Sequence, residues 1–467
     1  MRYDMSLHRF RQILSSQPSL LEGSIGKGLI AFAVPIFLGN LFQQLYNAAD
    51  TFIVGNFIGK EALAAVSSSS NLIFMLVGLL NGIAMGAGVL IAKYYGARDY
   101  ENMRLAIHTN LAFGVWAGLG LTVVGVVLTP HILRWMGTPS DVLPNSIAYF
   151  RTYFLGVTAT FLYNIAMGIL QALGDSRRPL YYLILSSAIN VALDLLFVAG
   201  FHWGVASAAA ATVISQAVSA LLCLWQLTHT EQIYRVKLKE LRIHGGMLRK
   251  IIRFGLPSGV QNSVIGFANV MVQANINAFG ADAMAGCGSY AKIEGFAFLP
   301  VTCFAMGLST FVEQNLGARQ HDRVRKGARF GILCSISMAE LVGVIIFLAA
   351  PSMIGWFNGD PQVVAFGVQQ ARTISLFYCL LALSHCMAGI FRGAGRATVP
   401  MVVMLCCWCV IRVAYITVMV RVFQNIQVVF TAYPVTWALS TVVFLLYYFR
   451  SDWIHSFDRL DQKSASR

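Results

Sequence analysis

Charge is scarce in this sequence. Only 12% of its 467 residues are Asp, Glu, Lys or Arg, against 57% that are hydrophobic, and the mean hydropathy is +0.66. A water-soluble chain of this length could not cover so much apolar surface, so the soluble globular class is excluded. Acids are the rarer sign, 20 against 34 basic residues, which leaves a formal net charge of +14. That excess does not point to nucleic acid, because the basic residues sit in short connectors between apolar runs. No polar stretch is long enough for a soluble domain. The nine cysteines, Cys223, Cys287, Cys303, Cys334, Cys379, Cys386, Cys406, Cys407 and Cys409, all fall inside apolar runs. Their number is odd and none has metal-ligand spacing, so a disulfide framework is not expected and they read as small core side chains. The sequence lacks His-Glu-x-x-His, a phosphate-binding Gly-rich loop with its Lys, and a Ser/His/Asp constellation, which argues against an enzyme and against an ATP-driven pump. No selectivity-filter pattern repeats, as a channel would require. After Arg2, Arg9 and Arg11, the stretch Gln12, Ser15, Ser16, Gln17, Pro18 is too polar for a signal-peptide core.

What the chain has in abundance is long apolar runs. They predict an all-α integral membrane protein with twelve spans, at 28–58, 63–92, 105–129, 147–173, 179–201, 204–227, 251–279, 283–316, 327–350, 364–392, 399–423 and 428–449. Pro35 and Pro257, early in the first and seventh, are expected to loosen those helices. With the N-terminus inside, 27 of the 34 basic residues fall in inner segments, and only Lys60, Arg134 and Arg421 in outer ones. The positive-inside rule then puts both termini in the cytoplasm. The expected organisation is a cytoplasmic segment 1–27, a six-helix bundle 28–227, a basic cytoplasmic linker 228–250, a second six-helix bundle 251–449 and a cytoplasmic tail 450–467.

The two halves are copies. A shift of 221 residues aligns Gly59 with Gly280, Ala84-Met85-Gly86 with Ala305-Met306-Gly307, and Gly96-Ala97-Arg98 with Gly317-Ala318-Arg319. It also aligns Arg104 with Arg325, Pro130 with Pro351, Trp135 with Trp356, Arg151 with Arg372, Gly168 with Gly389, Gly174 with Gly395 and Pro179 with Pro400. Six spans per copy is an even number, so the halves are parallel repeats, and two bundles around a central cleft suit alternating access.

Ionisable groups in hydrocarbon are costly and are functional candidates by default. Asp50 lies late in the first span and Asp194 in the outer half of the fifth. Asn190 shares a helical face with Asp194, and Thr212 in the sixth span reaches a similar depth. Two neighbouring carboxylates cannot both ionise cheaply there, so the four residues form a candidate site for a proton, or a metal site if the ion is Na⁺. The alternative is that the two Asp side chains only bridge helices, through Arg151. Polar and aromatic residues beside the expected cleft, Gln43, Tyr46, Asn47, Tyr163, Asn164, Gln273 and Asn277, are candidates for a substrate cavity. Glu294 either lines that cavity or pairs with Arg372 or Arg412. Glu340 is expected to bridge helices, and His385 is a weak proton-relay candidate.

Several motifs carry a resemblance. Pro35, Gln44-Leu45-Tyr46-Asn47-Ala48-Ala49-Asp50-Thr51, Val54-Gly55 and Glu61-Ala62-Leu63-Ala64-Ala65 resemble the first two helices of the multidrug and toxic compound extrusion (MATE) family. Gly96-Ala97-Arg98, Gln314-Asn315-Leu316-Gly317-Ala318-Arg319 and Gln171-Ala172-Leu173-Gly174-Asp175 fit the same family. The resemblance covers about residues 22–450. It implies a secondary active transporter of the bacterial-type inner (plasma) membrane that exports bulky, often cationic organic compounds by antiport with H⁺ or Na⁺. It also implies that Asp50, Asn190, Asp194 and Thr212 couple the ion. The acid that some relatives carry in the seventh helix is missing from Pro257-Ser258-Gly259-Val260-Gln261-Asn262-Ser263. The expected partners are small organic substrates and the bilayer, with no nucleic acid, no cofactor beyond the coupling ion, and a monomeric chain. The rival expectation is a flippase of lipid-linked precursors or polysaccharides on the same fold, which would need a basic cluster in its cavity.

Overall fold

The computed structural model describes residues 20–58, 60–135, 143–357 and 359–459. The segments 1–19 and 460–467, read from sequence as parts of cytoplasmic ends, lie outside the described residues, as do Gly59, 136–142 and 358. The described chain forms twelve helical rods. They are α1 (Ile25–Phe57), α2 (Lys60–Gly96), α3 (Tyr100–Trp135), α4 (Leu143–Leu155 with Val157–Ala172), α5 (Arg177–Asp194, running on as Leu195–Gly200) and α6 (Ala206–His229). The second half follows with α7 (Gly245–Asn277), α8 (Ala281–Gly317), α9 (His321–Gly355), α10 (Pro361–Ile374 with Tyr378–Gly393), α11 (Thr398–Met404 through Arg412–Phe423) and α12 (Gln427–Arg450). Ten helices are long and apolar enough to cross a bilayer by themselves, and the bent pair of α4 makes an eleventh crossing. The twelfth, α7, is as long but opens with Arg249, Lys250 and Arg253 and carries Gln261, Asn262, Gln273 and Asn275.

Two differences from the sequence reading have local causes. α4 bends by 48° at Gly156, where a Cβ would run into Val213 of α6. α10 tightens into a 3₁₀ turn at Ser375–Phe377, and Glu340 of α9 accepts the freed Cys379 N–H at 3.2 Å, so Glu340 does join two helices. Pro35 and Pro257, expected to loosen their helices, lie within the single helices α1 and α7.

The repeat is visible in the backbone. Arg98 and Arg319, one shift apart, both take left-handed caps (φ 57° and 56°), and Gly174 and Gly395 do the same (φ 90° and 73°). Beside Gly174, Asp175 accepts the N–H groups of Arg177 and Arg178 at 3.2 and 3.1 Å, capping α5. Burial pushes the Asp175 carboxyl up from its ordinary value, and the Arg178 and Arg177 N–H groups and charges only partly offset that. Asp175→Ala should lower thermal stability by about 1–2 kcal/mol, measurable as a shifted melting midpoint in detergent.

The halves meet where side chains are absent. Gly82 and Gly86 of α2 lie on Gly259 and Gly255 of α7, backbone against backbone, and any Cβ there would overlap the partner chain. Towards the ends of α2 and α8, Gly96 packs on the carbonyl of Gln314 while Gly317 packs on the carbonyl of Lys93. The 221-residue shift carries Lys93 to Gln314 and Gly96 to Gly317, so this crossing is its own image under the repeat. Gln314 Nε2 adds a hydrogen bond to the carbonyl of Ala172 in α4, 2.8 Å across the lobes.

Candidate functional site

Along α1, Ile36, Asn40, Gln43, Tyr46 and Asp50 recur every three or four residues and share one side of the helix. Asp50 ends this stripe. Facing it is Asp194, the last α-helical residue of α5, after which the helix widens into a π-turn, Leu195–Gly200. Asp194 has no exposed surface, and its carboxyl is within hydrogen-bonding reach of that of Asp50. No donor among the described residues reaches Asp194 Oδ1, Asp194 Oδ2 or Asp50 Oδ1. One turn earlier, buried Asn190 gives its amide N–H to Thr212 Oγ1 at 3.4 Å and leaves its own Oδ1 without a donor. Thr212 passes its proton to the carbonyl of Ala208 at 3.1 Å. Four acceptor oxygens are thus gathered with nothing to accept from. A proton or a cation would answer these oxygens, and oxygen-rich donors of this kind suit H⁺ and Na⁺ alike. Arg151 is exposed and pairs with neither carboxylate, so the Asp residues do not bridge helices through it.

Two neighbours of this pair were not anticipated. Tyr46 OH is within hydrogen-bonding reach of Gln43 and of the buried Gln216 of α6, and the buried Tyr149 of α4 lies in the neighbourhood of both carboxyls. Neither Gln216 nor Tyr149 carries any mark in the sequence, because each joins the site only through the packing of its helix.

Between the lobes lies a cavity of about 250 Å³ whose walls include Ile36, Met85, Met167 and Met306. Its polar lining includes Asn81, Asn164, Gln171, Ser309, Glu313 and Arg392. A smaller pocket of about 60 Å³ shares Asn164, Met167, Gln171 and Met306 with it and adds Gln43 and Tyr163. Gln43 therefore touches both the pocket and Tyr46, which leads to the Asp pair. Tyr163 is buried with its hydroxyl unpartnered. Glu313, 4% exposed, accepts from Ser309 Oγ at 2.7 Å. Glu313 was missed although it is an acid within an apolar run, four residues before Gly317.

Not every expected cavity residue is here. Gln273 and Asn277, at the far end of α7, are exposed and bonded to each other at 2.8 Å, apart from the cavity. Asn47 is exposed on α1 and is absent from the cavity lining. Glu294 sits within the second lobe, accepting from Tyr290 OH at 3.2 Å, with Tyr378 OH 2.8 Å from Tyr290. Arg412 faces this cluster but is held by Thr436 (3.1 and 2.8 Å) and lies over the Tyr433 ring. Glu294 makes no ion pair with Arg372 or Arg412 among the described residues. Like Asp194, Arg412 directly adjoins a π-turn, Leu405–Ile411. His385 lies against the Trp408 ring, and no ion pair or hydrogen bond joins it to an acid among the described residues.

Comparison with known proteins gives a consistent picture. The MatE family model matches the chain twice, over residues 35–196 and 257–418. The "Probable multidrug resistance protein YoeA" of Bacillus subtilis is 27% identical over 436 residues, 91% of this chain and 94% of its own length. The "Probable multidrug resistance protein NorM" of Thermotoga maritima is 26% identical over 416 residues, 86% and 87% of the two chains. A solved structure described as the outward-facing conformation of a multidrug resistance MATE family transporter superposes with a TM-score of 0.88 at 24% identity, covering 93% of this chain and 98% of that one.

Proposed function

This chain belongs to the MatE family, and from that premise we propose that it is a secondary active exporter of organic, often cationic compounds, driven by antiport with H⁺ or Na⁺. Its relatives are named as multidrug resistance and export proteins, and it is a multi-pass membrane protein. The observation that carries the ion-coupled reading is the buried Asp50–Asp194 pair with its unanswered acceptor oxygens.

In the proposed cycle an ion arriving from outside binds between Asp50 and Asp194. The pair then draws α1 and α5 together, and the Asn40–Gln43–Tyr46 stripe transmits this to the wall shared with the cavity. Substrate leaves outward, the lobes rock, and the ion is released to the cytoplasm, where both termini lie. The interlobe cavity suits a flat cation: methionines adapt to its shape and Glu313 supplies the only acid of its lining. A pyrophosphate-linked cargo would need several cations there, and Arg392 stands alone. The energetics are adequate, since one charge crossing 100 mV releases about 2.3 kcal/mol and a tenfold gradient of a neutral solute costs about 1.4 kcal/mol.

The test is efflux of a fluorescent cationic dye from proteoliposomes, with pH and Na⁺ gradients imposed separately. One of the two gradients should accelerate efflux at least tenfold over a no-gradient control. Equal rates under all three conditions would remove the antiport reading.

A further inference from the structure

The linker between the lobes does not trail in solution. Its backbone is fixed on α3 by His108, 4% exposed. His108 Nδ1 lies 2.7 Å from the carbonyl of Arg104, so that nitrogen carries the proton, and Nε2 accepts the Lys237 N–H at 3.1 Å. The fold-back forms an open groove of about 740 Å³. Four fixed cations line it, Arg104, Lys237, Lys239 and Arg242, against two acids, Glu101 and Glu240. Glu240 is already engaged, at 2.9 Å from Lys237 and 3.6 Å from Arg104, and these two cations hold its carboxyl below the usual range. Lys239 and Arg242 have no ion-pair partner among the described residues.

Beside these charges the same short segment exposes Ile233, Leu238 and Ile243, at 52%, 68% and 42%. They flank the junction between the end of α6 and the start of α7, and exposed Trp225 stacks on His229 in the last turn of α6. A groove for a soluble phosphate compound has no use for a fringe of bare aliphatic side chains. A bilayer surface has, because acyl chains cover them while headgroups meet the cations.

We propose that the groove between the linker and the start of α3 binds the phosphate headgroup of an anionic lipid from the adjoining leaflet, with Lys239 and Arg242 on the phosphate and Ile233, Leu238 and Ile243 against its acyl chains. Because the linker joins the two lobes, the bound lipid fixes the strap between them to the membrane surface. The site is separate from the Asp50–Asp194 pair and does not depend on the transport reaction.

The test titrates full-length protein in neutral detergent with short-chain phosphatidylglycerol, with phosphatidylcholine of the same chain length, and with inorganic phosphate, counting bound molecules by native mass spectrometry. Wild type should retain phosphatidylglycerol in preference to phosphatidylcholine, and tenfold more salt should weaken the binding. The double variant Lys239→Gln/Arg242→Gln removes two exposed charges and should bind about 30-fold more weakly, about 1 kcal/mol per charge. Leu238→Ser should weaken phosphatidylglycerol binding and leave inorganic phosphate unaffected. Equal binding of the two lipids, an unchanged double variant, or inorganic phosphate competing as well as the lipid at equal concentration would each overturn the proposal.

Discussion

Asp194→Asn and Asp50→Asn should each bring gradient-driven dye efflux down to the passive leak, at least tenfold below wild type, while the protein stays folded. The asparagine amide is the same size as the carboxyl and brings a donor to a carboxyl pair whose oxygens lack one, so the packing survives. What disappears is the ability to change charge. An Asp–Asn pair can hold one extra hydrogen bond permanently, but it cannot pick up an ion on one side and give it up on the other. Melting midpoints close to wild type, together with unchanged equilibrium binding of the dye, would show that only the coupling is lost. Full efflux under the productive gradient in both variants would mean that these carboxyls are structural and that the motor lies elsewhere.

Gly96→Leu and Gly317→Leu should abolish efflux for a different reason. Each glycine lies on a carbonyl of the opposite lobe, so even a single Cβ would overlap backbone. Backbone cannot step aside as a side-chain tip can, and forcing atoms into such a contact costs about 1–3 kcal/mol or more. The helices themselves would gain from losing glycine, so each lobe should still fold. The cost falls only on the state in which α2 and α8 cross. At about 1.4 kcal/mol per decade, a cost of 3 kcal/mol depletes that state about 100-fold. A cysteine placed at Ser309, in the cavity wall, should then react faster with a water-soluble maleimide added on the side where α2 and α8 end. Gly120→Leu on α3 is the control: a Cβ there meets nothing within 4 Å and the position lies outside the cavity wall, so efflux should persist. If Gly96→Leu transported like wild type, the crossing would not be a gate.

The difference between what was legible and what was not follows from these residues. Asp50, Asn190, Asp194 and Thr212 could be picked out because a charge inside an apolar run is conspicuous and because a four-residue spacing places two side chains on one helix face. The same reasoning misplaced Glu294, Gln273 and Asn277. They are as polar as Tyr163 and Asn164, but Gln273 and Asn277 sit at the far end of α7, where they meet each other and solvent, and Glu294 is turned into the second lobe against Tyr290. Gln216 and Tyr149 gave no sign at all. The glycines of the interlobe crossing were visible as a repeated motif, yet their role as the place where two backbones touch was not.

By itself the sequence determined that this is a membrane protein of twelve helices in two like halves, since hydropathy and a constant 221-residue shift are properties of the chain read along one dimension. Only the tertiary structure decided which polar residues share a cavity, that α2 crosses both α7 and α8 on glycine, and that the linker folds back on α3. Those outcomes depend on the rotation of each helix about its axis and on which helices pack together, and in an almost uniformly apolar chain neither is written in the order of the residues.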